Sequence, residues 1–122
     1  MILKKNKEKR LIVFSKDQLV RLIEKTIERE GPNCDLNFLD ISRITDLSYL
    51  FSYIYLSDFN GDISKWNTEN VTDMSYMFAH SKFSGDLSKW NVKNVKHMPY
   101  MFYNSPLDKN PPKWVYYDTE EM

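Results

Sequence analysis

Few side chains in this sequence could carry covalent or metal chemistry. His80 and His97 are the only histidines and Cys34 the only cysteine. A nucleophile needs a base within reach, and the base needs a group to orient it. The spacing of these three residues offers no such set. The two histidines fall at different positions of an internal repeat, and His97 stands where the preceding copy has Asp73. They read as ordinary surface side chains. A single cysteine excludes both an intramolecular disulfide and a zinc quartet. Cys34 aligns with Gly61 in a turn and reads as a structural or spectator thiol. "DFNGD" (Asp58–Asp62) is acidic like a calcium loop, but it lacks alternating ligands and a distant Glu, and its copy is "KFSGD". "NVT" at Asn70 fits a glycosylation sequon; without a secretory signal it reads as coincidence. No phosphate loop, HExxH or nucleophile elbow occurs. The expectation is a protein that is not an enzyme, with no cofactor, no metal and no small-molecule substrate.

Non-covalent recognition has better candidates. Tyr49, Tyr76 and Tyr100 each follow the first core Leu or Met of a predicted short helix by two residues. Two helical residues turn through about 200°, which aims these rings away from the core. A row of tyrosines is an amphipathic contact surface of the composition found at binding hot spots. The competing reading is that the rings only pack on one another. Tyr53 and Tyr55 lie in a connector beside Ile54, and Tyr103, Tyr116 and Tyr117 lie toward the C-terminus. Lys93, Lys96 and His97 are positions that change between copies, so they join the candidate partner-binding set. Trp66, Trp90 and Trp114 recur every 24 residues. They could stack sugars or bases, but their place in the repeat, filled by Leu39 in the first copy, favours a packed ladder. Lys4, Lys5, Lys7, Lys9 and Arg10 form a basic start, either a solvated tail or an arm for nucleic acid.

The elements that must position these residues come from duplication. Phe59–Lys82 and Phe83–Pro106 align without a gap and match at 14 of 24 positions. "DLNFLDISRITDLSYLF" (Asp35–Phe51) is a divergent copy, offset by 27 residues from Asp62–Phe78, and "LDKNPPKW" (Leu107–Trp114) continues the register. Met74, Met77 and Phe78 at i, i+3, i+4 predict a short helix after Thr72 and Asp73. "WNTENV" before it predicts a short strand, and Gly61 and Gly85 predict turns with φ > 0. Asn67, Asn70, Asn91 and Asn94 could bond backbone groups left open by a turn, or pair with their copies. One such coil cannot bury its own apolar face, whereas stacked coils can. Ahead of the repeats, "RLIVF" (Arg10–Phe14) predicts a strand. Ser15 with Gln18 predicts a capped helix with a Phe14–Leu19 staple, an apolar stripe of Leu19, Leu22, Ile23 and Ile27, and a stop at Gly31–Pro32.

The chain has 122 residues, enough for one domain. It divides into a basic tail (1–9), a strand–helix cap (10–31), a divergent repeat (32–58), two repeats (59–82 and 83–106), and a C-terminal cap with an acidic tail (107–122). Seventeen acidic and seventeen basic residues cancel, so no global field draws it to DNA or a membrane. The apolar run "LIVF" is too short for a signal peptide or a membrane span, and the expected location is cytoplasmic.

The spacing F-x-G-D-I/L-S-K-W-N…N-V…M-x-x-M-F, read twice from Phe59 to Phe102, resembles the BspA-like repeat family. These are roughly 25-residue leucine-rich-repeat-like units of mycoplasma and other bacterial surface proteins. The resemblance spans about residues 33–115. It implies an α/β fold, a short leucine-rich-repeat-like right-handed solenoid of 24-residue strand–helix coils, and binding rather than catalysis. The expected function is a protein-interaction module that modulates or inhibits a larger bacterial protein or ribonucleoprotein complex by steric occlusion, such as a phage- or mobile-element-encoded inhibitor of a host defence system. The alternatives are a nucleic-acid-associated protein using the basic arm, and a surface adhesin.

Overall fold

The computed structural model describes residues 9–116. Lys4, Lys5, Lys7, Tyr117 and the acidic tail named above lie outside them. Three regular elements occur: β1 (Leu11–Ile12), α1 (Lys16–Glu30) and β2 (Leu39–Asp40). Two single 3-10 turns follow, at Leu50–Ser52 and Pro106–Asp108. The rest of the described residues form turns and irregular segments, with isolated bridges between them.

Local chemistry sets the limits of α1. The Ser15 hydroxyl accepts from the Gln18 amide at 3.1 Å, and the Gln18 side chain accepts from the Phe14 amide at 2.7 Å, a reciprocal pair that satisfies two orphan donors. Gly31 ends the helix at φ 91, donating its N–H to Ile27 O at 2.7 Å; few side chains tolerate that dihedral. Leu19 and Ile23 are buried, with Leu22 and Ile27 packed at the edge of the core. Thr26 is buried as well, and its hydroxyl donates to Leu22 O at 2.7 Å. The staple differs from expectation. Phe14 is 68% exposed, and the Arg43 guanidinium lies 5.4 Å from its ring centre, a cation–π contact. β1 is shorter than predicted and pairs in parallel with β2, Leu11 opposite Leu39.

The copies lie on one another at the offsets read from the sequence. Parallel bridges join Asp35 to Asp62, Asp46 to Asp73, and Asp73 to His97. Equivalent rings form columns. Trp66, Trp90 and Trp114 are 6.3 and 6.4 Å apart with planes within 11°. Phe51, Phe78 and Phe102 are 5.4 and 5.5 Å apart, and Phe59 lies 5.9 Å from Phe83. Each indole N–H donates to a carbonyl of the preceding copy, Trp66 to Leu36, Trp90 to Ile63 and Trp114 to Leu87, at 2.8–3.0 Å. No indole N–H is therefore orphaned; Trp66 and Trp90 belong to the core, and Trp114 packs against it partly buried.

The predicted helix over Met74–Phe78 does not form. Met77 and Ala79 donate to the carbonyls three residues back. The amides of Met74, Tyr76, Phe78 and His80 instead donate to His97, Pro99, Met101 and Tyr103 of the next copy at 2.8–3.0 Å. A helix would consume those amides internally; here they bind the copies together. The "WNTENV" strand is also turn. Among the described residues the Asn copies do not pair. Asn70 and Asn94 side chains donate to Ser42 O and Glu69 O of the preceding copy, while Asn67 and Asn91 accept from amides two residues on.

Gly61 and Gly85 are not at positive φ, which among glycines is found only at Gly31. Close approach explains Gly61: a Cβ there would lie 1.8 Å from Cys34 O and 2.7 Å from the Phe59 ring. Aspartates cut the other corners. The carboxylates of Asp35, Asp40, Asp46, Asp62, Asp73 and Asp86 each accept the amide two residues on, at 2.8–3.0 Å, the Asx turn. In the last copy His97 replaces the Asp and Pro99 replaces the residue whose amide it would accept, so both partners of the bond are exchanged together.

Candidate interaction site

The outer row is built by the backbone before the side chains contribute. Tyr49, Tyr76 and Tyr100 have φ of 62, 56 and 55, in the left-handed region that non-glycine residues seldom enter. The conformation is held from both sides. Tyr49 and Tyr76 donate N–H to Ser75 O and Pro99 O of the next copy at 3.0 Å. The carbonyls of all three accept from the amides three residues on, Ser52, Ala79 and Tyr103. The rings project outward as expected, but the left-handed backbone rather than a helical face is the cause.

The rings stack in register. Tyr49 and Tyr76 centroids are 4.9 Å apart with planes at 3°, and Tyr76 and Tyr100 are 5.2 Å apart at 25°. Tyr49 stays 47% and Tyr100 44% exposed. Partial burial pushes the Tyr76 phenol up from its ordinary pKa, with the neighbouring Tyr49 and Tyr100 hydroxyls adding to the rise. The rings thus pack on one another along the row while Tyr49 and Tyr100 stay nearly half exposed.

The row is wider than predicted. Tyr103 meets Tyr100 edge-on at 5.9 Å and His80 edge-on at 5.4 Å. His80 Nδ1 lies 2.9 Å from Asn104 Nδ2. His80 and Asn104 occupy the same repeat position and are both left-handed, at φ 62 and 53. Sequence reasoning read His80 as an ordinary surface side chain and placed neither it nor Asn104 in the partner-binding set. His80 and Asn104, in register four residues after Tyr76 and Tyr100, were the available signal, because Asn tolerates φ > 0.

The other candidate residues separate from this face. Tyr53 and Tyr55 flank Ile54 in the connector, all exposed, and line an open groove against Asp17, Val20, Arg21 and Glu24 of α1. Lys93 and Lys96 are exposed in the turn that opens at Asn91. Exposed His97 takes the Asp73 register of the bridge. Lys9 and Arg10 are exposed, and Arg10 Nη1 donates to Asn37 O at 3.3 Å, which ties it to the first copy. No helix among the described residues is long and apolar enough to cross a membrane.

A family model described as "Mycoplasma protein of unknown function, DUF285" matches residues 21–122. The chain belongs to the DUF285 family. The match opens inside α1 and takes in every residue of the tyrosine row, whereas β1 and the helix N-cap precede it. No curated protein and no solved structure matches this DUF285 chain.

Proposed function

We propose that this DUF285 chain is a non-catalytic protein-interaction module, a short BspA-like right-handed solenoid that binds and occludes a face of a larger protein or ribonucleoprotein complex. The carrying observation is the row of half-exposed tyrosines stacked at 4.9 and 5.2 Å on a left-handed backbone. Rings already ordered by their neighbours lose little freedom on association. Tyr76 has both faces covered by its neighbours, and Tyr49 and Tyr100 one face each, so the row offers chiefly edges and hydroxyls. That suits a packed protein surface better than a run of bases, each of which would need an open ring face.

The test is affinity capture from a nuclease-treated bacterial lysate with the parent chain and with Tyr76→Asn/Tyr100→Asn. Asparagine accepts the left-handed backbone of both positions, and a cooperative urea transition checks that the variant is folded. The expected result is a protein partner that survives nuclease and is lost with the variant. A partner that disappears on nuclease treatment, or one held equally by the variant, overturns the reading.

A further inference from the structure

The tyrosine row places oxidisable groups where an oxidant arriving from solvent meets them. Among the described residues the sulfur atoms lie inside: Cys34, Met74, Met77, Met98 and Met101 are all buried. They offer no thiol or thioether at the surface to take up an oxidising equivalent first. Tyr49 and Tyr100 are nearly half exposed, and Tyr76 between them is partly exposed. What separates the row from the other exposed tyrosines is its register. The left-handed backbone at φ 62, 56 and 55 makes the three rings near-translated copies of one another. A ring carbon of Tyr76 therefore faces its equivalent at about the distance between ring centres, 4.9 Å to Tyr49 and 5.2 Å to Tyr100. Tyr103 meets Tyr100 at 87°, an edge against a face, and lacks this match.

Loss of one electron and one proton turns a phenol into a phenoxyl radical, with the unpaired spin shared between the oxygen and the ring carbons ortho to it. Two such radicals held side by side join ortho carbon to ortho carbon. The two ring hydrogens then move to the oxygens and restore both phenols. Two tyrosines and one molecule of hydrogen peroxide thus give one dityrosine and two waters, and a haem peroxidase divides the oxidation into one-electron steps. A neighbour fixed at this distance outcompetes any tyrosine on another dissolved chain. We propose that Tyr76 is a site of oxidative cross-linking, at which hydrogen peroxide acting through a haem peroxidase joins its ring to that of Tyr49 or Tyr100 as dityrosine. The bond closes a loop of 27 or 24 residues and ties neighbouring copies together, a staple that a chain with one cysteine cannot make as an internal disulfide. The reaction needs the geometry of the row and no partner, so it holds or fails apart from the function proposed above.

The experiment treats the full chain with hydrogen peroxide and a haem peroxidase, then maps linked peptides by mass spectrometry. The expected product is a single chain lighter by two hydrogens, with Tyr76 linked to Tyr49 or Tyr100. Its yield should not depend on protein concentration, and its urea midpoint should exceed that of the untreated chain. Tyr76→Phe keeps a ring in the stack but has no phenol to oxidise; it should unfold cooperatively and lose both links. Tyr53→Phe/Tyr55→Phe should keep them. Links found only between chains or only among other tyrosines overturn the proposal. So does an undiminished yield of the lighter chain from Tyr76→Phe, or a linked product that unfolds at no higher urea than the untreated chain.

Discussion

Tyr49, at φ 62, separates the needs of the backbone from those of the ring. Replacing it with Asn removes one stacking partner, worth about 0.5–1.5 kcal/mol, but supplies a residue suited to left-handed backbone. Tyr49→Asn should therefore cost no more than about 1 kcal/mol in urea unfolding. Tyr49→Val loses the same stack and forces a β-branched residue to positive φ, adding about 1–3 kcal/mol. Equal costs for the two would show that the backbone there is not left-handed. Gly61 gives a sharper contrast. A Cβ would strike Cys34 O, a backbone atom, so Gly61→Ala should cost about 3 kcal/mol or leave the chain unfolded. Gly85→Ala meets chiefly the Phe83 ring at 2.6 Å, which can shift, and should cost visibly less. Sequence reasoning marked both glycines as special and misjudged why. Nothing in "FNGD" distinguishes a positive φ from a crowded approach; the difference lies in the neighbouring copy.

The Asx turns act at the scale of the element. Hydrogen bonds from Ser42 to Asp40, from Asn37 and Ser64 to Asp62, and from Ser88 to Asp86 hold these carboxyls below their ordinary pKa. A carboxyl depressed in the folded state adds stability that is present above its unfolded pKa of about 4 and is lost as pH falls through the folded value. The urea midpoint should stay nearly level from pH 7 to pH 5 and drop below about pH 4. Asp62→Asn keeps an acceptor, as Asn67 and Asn91 do naturally, and should flatten part of that drop. An unchanged acid profile in the variant would mean that Asp62 contributes nothing to it. At this scale α1 was legible because its cap, apolar stripe and stop signal are all local. The helix over Met74–Phe78 was not, because an i, i+3, i+4 apolar pattern also fits turns whose alternate amides bond sideways. Only the next copy decides between the two.

At the scale of the molecule, most of the cohesion runs between neighbouring copies, so stability depends on what lies on each side. Core residues of the first copy such as Leu36, Leu39 and Ile41 are fully buried, while Val95 is 8% and Trp90 4% exposed. Hydrogen exchange should therefore show the lowest-energy openings in residues 91–104 and the highest in residues 36–80. Uniform protection would point to a single cooperative unit. Register was the most legible feature of the sequence: the offsets of 24 and 27 reappear in the parallel bridges and the ring columns. The tyrosine row was half legible, since its spacing was visible but its left-handed backbone was not. His80 and Asn104 entered the site only through contacts that run from copy to copy.

The coaxial indoles also have an optical consequence. Three nearly parallel chromophores, each 6.3 or 6.4 Å from its neighbour between ring centres, pass excitation along the column, and the energy drains to the one lowest in energy. Trp66 and Trp90 are buried and Trp114 is partly open to water, so emission should be dominated by Trp114 whichever ring absorbs the photon. The intrinsic fluorescence of the whole chain thus becomes a gauge of its C-terminal layer, and a ligand settling there would change the colour of light gathered far from it.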